Sequence, residues 1–475
     1  MTRNRIIYYW ALALVLPLTL QSCLVRRKYS EPKLSVDTEA LYRTDVVTES
    51  SDKSIGEMPW EEFFSDEILR KHIRTGLENN YDVRIALQNI VAADAYRKQG
   101  KAGYLPTASL AGRASWQNPS DNTAFGGGDF NMDQFDVTGS FSWEADIWGK
   151  ITSQNKAFRA SYLQTLAAKQ AVVTRMISDI SSSYFDLLAL DRQLDVTERT
   201  IVNRQRSLNV IRALKDAGQD NLTEVAVKQA EAQLYDAQQI KADLQGRIRL
   251  TENALSVLLG RTPGPVERGV MGPEMFASEA ETLSPGVPLA LLSNRPDLRA
   301  AEQGFVNAFE MTNVAKADLY PALSLSADVG LMGNEISKVF RGDAFYYNLF
   351  ANLTQPIFNG RKLKTQLEVA KTKEEQALLS FEQAILNASR EVNDALVNYK
   401  TSAERKISVG KSFEAYSQAT RQSEALLASG MVNYLEVLRA QQNELATELS
   451  LVDLQNGQNK ALLNLYVSLG GGGIE

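Results

Sequence analysis

Apolar and polar residues alternate with a period of two in four short segments of the chain. In the clearest segment, predicted as a strand at about 134–148, the odd positions from Phe135 to Ile147 are apolar or small and the even positions are polar. Such alternation gives a β-strand one apolar and one polar face. The other strands are predicted at about 107–117, 322–332 and 346–356. The last alternates less cleanly, because Phe350 lies on its polar side.

Long proline-free segments rich in Ala, Gln, Glu, Leu and Lys predict that most of the remaining chain is helical. The two longest run from Asn155 to about Lys215 and from about Lys362 to Ser429. Roughly sixty residues give a helix of about 90 to 100 Å, and helices of that length need coiled-coil-like packing. Gly218 and Gly430 then predict tight helix reversals. The helices after these reversals are predicted at about Asn221–Leu259 and Tyr434–Leu469.

A shorter amphipathic helix is predicted before each pair of strands, at Asp66–Lys98 and at Val287–Asp318. The single histidine of the chain, His72, lies in the first of these helices beside Lys71 and Arg74. These charged neighbours predict that His72 lies on a solvated helix face and has no chemical role.

The chain repeats itself once, at an offset of about 210 to 215 residues. Short identities recur in the same order in both halves, and glycines recur with them. The matching pairs are Asn79-Asn80 with Asn294-Arg295, Lys101–Pro106 with Lys316–Pro321, Gly149 with Gly360, Gly218 with Gly430, and Leu259-Gly260 with Leu469-Gly470. The sequence therefore predicts two copies of one unit, at 59–260 and 289–470, a linker at 261–288 and a Gly-rich tail at 471–475.

The four alternating segments fit either a transmembrane β-barrel or a soluble β-sandwich with a polar outer face. Their length of about ten residues and the aromatic residues near their ends are typical of a barrel. The Gly-, Asn- and Asp-rich segments Asn118–Asp133 and Met332–Asp343 suit exposed turns, which also favours the barrel. Four strands cannot close a membrane barrel, because open sheet edges are not tolerated in lipid. The chain is therefore expected to oligomerise, and a homotrimer, with twelve strands, would close such a barrel.

The first residues are typical of a bacterial export signal. Arg3 and Arg5 precede an apolar run from Ile6 to Leu20, which is too short for a membrane span. Leu20-Gln21-Ser22-Cys23 resembles a lipobox, although Gln21 departs from the usual small or aliphatic residue. We therefore predict a lipoprotein signal peptide at 1–22, lipid attachment at Cys23 and a lipid-anchored linker at 23–58; the alternative is a stray thiol after an ordinary signal.

Charge and composition disfavour other classes of protein. The formal net charge of −6 and the pI near 5.3 give no basic field for nucleic acid. With one His and one Cys, no His/Cys metal cluster can form, and any Cys-His or Ser-His pair would need His72. No cofactor is expected, since the sequence contains no phosphate loop or dinucleotide fingerprint. An enzyme and a structural periplasmic coiled-coil lipoprotein are the competing classes, and the four alternating segments disfavour the latter.

Several short motifs together resemble those of the TolC-like outer-membrane factor family, in the lipoprotein branch that serves resistance-nodulation-division pumps. Each motif is weak alone, but their combination and order are specific and cover nearly the whole mature chain. The motifs are Pro59–Phe64, Leu77–Asn80, Asp146–Gly149, Arg295–Glu302 and Gly430–Val437.

The resemblance implies a mainly α-helical protein with a transmembrane β portion. Three chains, with four strands each, would share a twelve-stranded barrel in the outer membrane of a Gram-negative bacterium, continued by a long periplasmic α-helical barrel. Its partners would be a periplasmic adaptor protein, an inner-membrane pump and outer-membrane lipid. The implied function is a passive exit duct for small molecules such as drugs or toxic compounds. The alternatives are a duct for heavy-metal efflux or for type I secretion.

The same resemblance implies a periplasmic gate just after the second reversal. Leu435, Arg439 and Gln442 lie three and four residues apart, so they share one face of a helix. Leu435 stands where the family has an apolar constriction, and Arg439 stands where many relatives carry an aspartate. Three arginines would give the closed pore a positive ring, which favours anions. In the alternative interpretation Arg439 is one of many solvated helix charges.

Overall fold

The computed structural model describes residues 25–36, 41, 54–117, 120, 133–218, 223–272, 275–277 and 294–472. These residues form two compact units. Unit 1 contains the described residues within 1–33, 90–165 and 301–381, and unit 2 contains the others. The predicted signal peptide, Cys23, half of the predicted linker 23–58 and the start of the helix predicted at Val287–Asp318 lie outside the described residues.

Unit 1 contains one antiparallel sheet in the order β1-β2-β3-β4. The strands span Thr107–Ser115, Gln134–Ala145, Ala322–Gly333 and Phe345–Thr354. The second strand stops three residues before its predicted end. It stops because the Asp146 carboxylate accepts hydrogen bonds from the backbone N–H groups of Ile151 (2.8 Å) and Thr152 (2.9 Å), which starts the next helix.

The register of the strands separates the sheet into an apolar face and a polar face. On the apolar face, Val137 lies opposite Gly112 on one side and Leu331 on the other. On the polar face, Ser140 lies opposite Asp328 and donates a hydrogen bond of 2.6 Å to its carboxylate. Leu110 and Leu349, on the apolar face, are 79% and 73% exposed. The chain therefore presents much of its apolar face to the surroundings.

Eight α-helices are described, and two of them have 67 residues, or about 100 Å each. Helix α4 begins at Lys150 and α7 at Lys362, each a few residues after a strand. In chain order the helices are α1 (Trp60–Phe63), α2 (Glu67–Asn79), α3 (Tyr81–Ala102), α4 (Lys150–Asp216), α5 (Glu224–Leu258), α6 (Pro296–Ala317), α7 (Lys362–Ala428) and α8 (Tyr434–Ser468).

The single helix predicted at Asp66–Lys98 is wrong, because the chain breaks at Asn80 into α2 and α3. Asn80 has extended backbone angles (φ −62°, ψ 135°). Its side-chain oxygen accepts from the N–H of Asp82 at 2.7 Å, which caps α3. Its amide nitrogen donates to the carbonyl of Leu258 at 3.0 Å. Asn80 therefore ties the start of α3 to the end of α5.

The internal repeat places an equivalent junction at the end of α8. Gly260 and Gly470 both have positive φ, of 70° and 91°. A β-carbon on Gly260 would lie 2.6 Å from the carbonyl oxygen of Asn79, and one on Gly470 would lie 2.8 Å from that of Asn294. Arg295 takes the position of Asn80 and donates to the carbonyl of Ser468 at 2.8 Å. The predicted repeat thus corresponds to one junction built twice in unit 2.

An aromatic core lies beside these junctions in unit 2. Phe63 stacks on Tyr466 with ring centroids 3.9 Å apart, and the Tyr466 hydroxyl donates to the carbonyl of Met58 at 2.7 Å. The N–H of Gly472 donates to the same hydroxyl, and Gly471 and Gly472 are buried. The predicted tail 471–475 is therefore wrong for these two glycines, which belong to the core; residues 473–475 lie outside the described part of the chain.

The prediction for His72 is also wrong, because its side chain is buried in unit 2. Its Nε2 lies 2.8 Å from the backbone carbonyl of Glu267, and its ring centroid is 5.9 Å from that of Tyr184. Burial lowers the pKa of His72 below its ordinary value, so the neutral ring is favoured. The neutral ring donates a hydrogen bond to Glu267 and thereby holds the segment after α5 on α2.

Replacing Gly260 with Ala tests the junction. The new β-carbon would meet the carbonyl of Asn79 and would have to adopt a positive φ, so we expect a loss of stability of about 1 to 3 kcal/mol. The measurement is the midpoint of heat unfolding by circular dichroism in mild detergent.

Gly246→Ala is the matched control, because Gly246 lies inside α5 with open space around it. There we expect a gain of about 0.5 to 1 kcal/mol from higher helix propensity. Equal midpoints for Gly260→Ala and the native chain would contradict the account of the junction.

Candidate functional site

Two helix reversals in unit 2 carry the predicted hairpin tips. Gly218 (φ 81°) follows α4, and Gly430 (φ 74°) follows α7. Around Gly430, the N–H of Met431 donates to Leu426 and that of Gly430 donates to Leu427, both at 3.0 Å. This is the hydrogen-bond pattern of a helix end that requires a left-handed residue. Both glycines therefore occupy the helix ends at which the reversals were predicted.

The four helices near these reversals pack around one apolar cluster, which we call the tip cluster. Its buried members come from the end of α4, the start of α5, the end of α7 and the start of α8. They are Leu208, Ile211, Ala226, Val227, Ala230, Leu234, Leu427, Tyr434 and Val437. The tip cluster fixes the first two turns of α8 on the helices of the first copy, so the rotation of α8 about its own axis is defined.

Tyr434 and Arg204 are polar side chains buried at or beside the tip cluster. Burial raises the pKa of the Tyr434 hydroxyl above its ordinary value, while the nearby positive charge of Arg204 acts in the opposite direction. Arg204 donates to the backbone carbonyl of Gln233, and its burial lowers the pKa of its guanidinium. Both groups thus keep their ordinary neutral and positive forms at neutral pH, in positions set by the packing.

The three predicted gate residues lie together on the open face of α8. The N–H of Leu435 donates to the side chain of Asn433 at 2.9 Å, which caps the helix at this point. Leu435 is 44% exposed, and Arg439 and Gln442 are exposed as well. Val437, on the opposite face of the helix, is buried. The structure thus brings the three side chains to one surface that points away from the tip cluster.

Arg439 forms no salt bridge with any residue that the structure describes. Glu436 is exposed one turn earlier and does not pair with it. Glu424, an acid on α7, accepts a hydrogen bond of 2.7 Å from Gln441. The side chain of Arg439 therefore offers a free positive charge at the surface of the single chain.

A groove of about 420 Å³ between α4, α7 and α8 was not predicted from the sequence. It is lined on one side by Arg206 and Val210, and on the other by Arg421, Glu424 and Glu444. These residues come from three helices far apart in the chain, so no local sequence pattern joins them. The groove combines apolar walls with charges of both signs, a surface that suits a peptide or helix.

Within the described ranges, the side chains form no group of three or more His, Cys, Asp or Glu that could hold a metal ion. In the same ranges, none of the helices is both long and apolar enough to cross a membrane.

Comparison with known proteins identifies the family. The family model for outer membrane efflux proteins matches residues 73–261 and 287–471, one segment in each copy. The cation efflux system protein CusC of Escherichia coli (strain K12) is 28% identical over 457 residues, which cover 96% of this chain and 97% of that protein. The toluene efflux pump outer membrane protein TtgC of Pseudomonas putida is 28% identical over 433 residues, covering 90% and 88%.

Solved structures agree with this result. A crystal structure of CusC superposes with a TM-score of 0.84 at 26% identity and covers 94% of this chain and 99% of its own. The predicted resemblance is confirmed, and the chain belongs to the outer membrane efflux protein family.

Proposed function

We propose that three copies of this chain form the exit duct of a tripartite efflux pump in the outer membrane. The observation that carries the proposal is the four-stranded sheet, with its exposed apolar face, its hydroxyl- and amide-rich polar face and two edge strands. Lipid tolerates apolar side chains but not open edges, so the sheet needs further strands to complete it. Three copies supply twelve strands, an even number within the range of membrane barrels.

Aromatic side chains near both ends of the strands support a membrane position for the sheet. Trp116 and Phe135 pack edge to face near one end, with ring centroids 5.8 Å apart. Near the other end Trp143 donates to the carbonyl of Tyr104 at 2.9 Å. Aromatic rings at both ends of a hydrophobic band are typical of the two interfaces of a membrane.

The helices supply the periplasmic part of the duct, and the groove beside the tip cluster is where the adaptor protein would bind. Its occupant would be a helical hairpin, since the walls are apolar and the rim carries charges of both signs. The substrate is a small molecule selected by the pump. CusC and TtgC are equally similar to this chain, at 28% identity, and are named for the efflux of cations and of toluene. We therefore propose no narrower class of cargo.

The proposed function predicts that the protein is a trimer and that it conducts ions. In mild detergent the purified protein should have the mass of three chains, and in planar lipid bilayers it should give stepwise channel currents. A monomer whose circular dichroism still shows strands, or a trimer that never conducts, would contradict the proposal.

We also propose that Cys23 is lipidated and becomes the first residue of the mature chain. In unit 1 the side chain of Val25, two positions after Cys23, packs with Trp148 and Ala317. The backbone of Arg27 exchanges hydrogen bonds of 3.2 and 3.0 Å with the side chain of Asn313. These contacts hold the chain close to the ends of the strands, where the acyl chains would enter the lipid.

Mass spectrometry of the mature protein tests the anchor. We expect a first residue of Cys23 that carries acyl chains, and Cys23→Ser should leave the protein with a longer N-terminus or without lipid. Residues before Cys23, or an unmodified Cys23, in the native protein would contradict the assignment.

We propose further that Leu435, Arg439 and Gln442 line a gate at the start of α8. Their shared exposed face and the unpaired charge of Arg439 support this role. Three arginines in a narrow ring would lie in a constriction of low dielectric constant, where charges act more strongly than on an open surface. The ring would favour anions over cations.

Arg439→Asp is expected to shift the ion preference of the channel severalfold from anions towards cations. Leu435→Ala should raise the conductance of the closed state, since it removes apolar bulk from the constriction. Both are measured in planar bilayers with a salt gradient. Arg249→Asp, an equal change of charge on the exposed surface of α5, is the matched control. If Arg439→Asp behaves like this control and Leu435→Ala conducts like the native channel, the three residues do not form the gate.

A further inference from the structure

Two apolar surfaces in unit 1 remain uncovered next to the edge strands. After β4, Ile357 and Phe358 are each 91% exposed. Before β1, at the opposite edge of the sheet, Leu105 is 65% exposed. Apolar side chains exposed to this degree beside an open strand edge mark a contact surface.

The internal repeat shows what covers such surfaces. Ile357-Phe358 follow β4 in the second copy as Ile147-Trp148 follow β2 in the first. The second copy has one extra residue, Asn359, before its glycine. Ala102 and Leu105 precede β1 as Ala317 and Tyr320 precede β3.

In the chain itself, one of these pairs of surfaces is in contact. Trp148 is buried against Ala317, and its ring centroid lies 5.1 Å from that of Tyr320. The indole nitrogen of Trp148 also donates to the carbonyl of Pro321 at 2.7 Å. A single chain therefore makes this contact between the segment after β2 and the segment before β3. Among the residues that the structure describes, it does not make the equivalent contact between the segment after β4 and the segment before β1.

The β2–β3 register can be carried over to the two edges. Trp143 lies opposite Leu325, and their counterparts in the repeat are Leu353 of β4 and Leu110 of β1. Leu353 and Leu110 both lie on the apolar face, so the carried-over register matches face with face, as strand pairing requires.

We infer that β4 of one copy pairs antiparallel with β1 of a second copy in this register, with Leu353 opposite the second copy's Leu110 and Phe358 covered by the second copy's Leu105. The inference rests on the proposed trimer, to which it adds the contact between copies. The contact is head to tail, and three such contacts close a ring.

The same register accounts for the irregular position of Phe350. Ser140 lies opposite Asp328 in the β2–β3 pair, and their counterparts are Phe350 and Arg113. Phe350 is the aromatic residue that interrupts the polar face of β4, and Arg113 is the one basic residue among the described strands. A guanidinium over a phenyl ring is a favourable pair, and cross-strand neighbours are close enough to form it.

Paired cysteines test the register. In Leu353→Cys/Leu110→Cys the two α-carbons of neighbouring copies would lie roughly 4.5 to 5.5 Å apart, within disulfide range. Mild oxidation should therefore convert the trimer into covalently linked dimers and trimers on denaturing gels. Asn352→Cys/Ala111→Cys probes the same register from the polar face.

Leu353→Cys/Gly112→Cys is the matched control, since it differs only by a shift of two residues along the same face, and it should not cross-link. Variants with only one of the two introduced cysteines show whether any cross-link forms through Cys23. The inferred contact is overturned if the shifted pair cross-links preferentially, or if the protein is a trimer in which neither opposed pair cross-links. Either result would leave the proposed function as a duct uncontradicted. A folded monomer overturns both.

Arg113→Gln and Phe350→Ser provide an independent readout. Each should lower the temperature at which the trimer dissociates by a few degrees, and the double variant should lose little more than either alone, because one contact is lost in all three. Fully additive losses would show that the two residues do not meet.

Discussion

The fold depends on the close approach of two backbones at each helix junction. At Gly260 and Gly470 the chain leaves a long helix through a left-handed residue that lies against the carbonyl of Asn79 or Asn294. No side chain fits there, so a helix of one segment can end against the start of another without a gap. Asn80 and Arg295 then satisfy the last carbonyl groups of α5 and α8. The two junctions differ mainly in charge, since Arg295 is also paired with Asp297 and Glu391.

The two faces of the sheet in unit 1 connect the structure with the channel function of this family. A sheet with one apolar and one polar face can separate lipid from a water-filled space. The chain is an outer-membrane channel component of an efflux system, and the polar face, with Ser140 and Asp328, has the chemistry of a wetted wall.

Periodicity made the strands and the long helices predictable. The alternation around Phe135–Ile147 gave both the strand and its two faces, and the absence of proline gave helices close to their observed bounds. The exact strand end was not predictable, because it depends on the carboxylate of Asp146, which caps α4. The three residues proposed to line a gate share one face of α8 through helical spacing alone, which is a local property.

Features set by distant parts of the chain could not be read from local patterns. His72 has charged neighbours in sequence, yet the segment that contains Glu267 folds over it and buries it. The break at Asn80 depends on the end of α5, nearly 180 residues away. Gly471 and Gly472 look like a loose tail in sequence, but Tyr466 binds them in the core. The groove at the tip cluster is assembled from three helices and has no signal in any one of them.

The exposed apolar face of the sheet also has a consequence for biogenesis. A newly exported chain carries Leu110, Leu349 and their neighbours into an aqueous compartment with both strand edges open. Such a chain is prone to aggregate with other unfolded proteins until the strands reach lipid and their counterparts. Strand formation, insertion and assembly should therefore be coupled into one event. The helical segments, whose backbone hydrogen bonds are internal, can fold before the sheet forms.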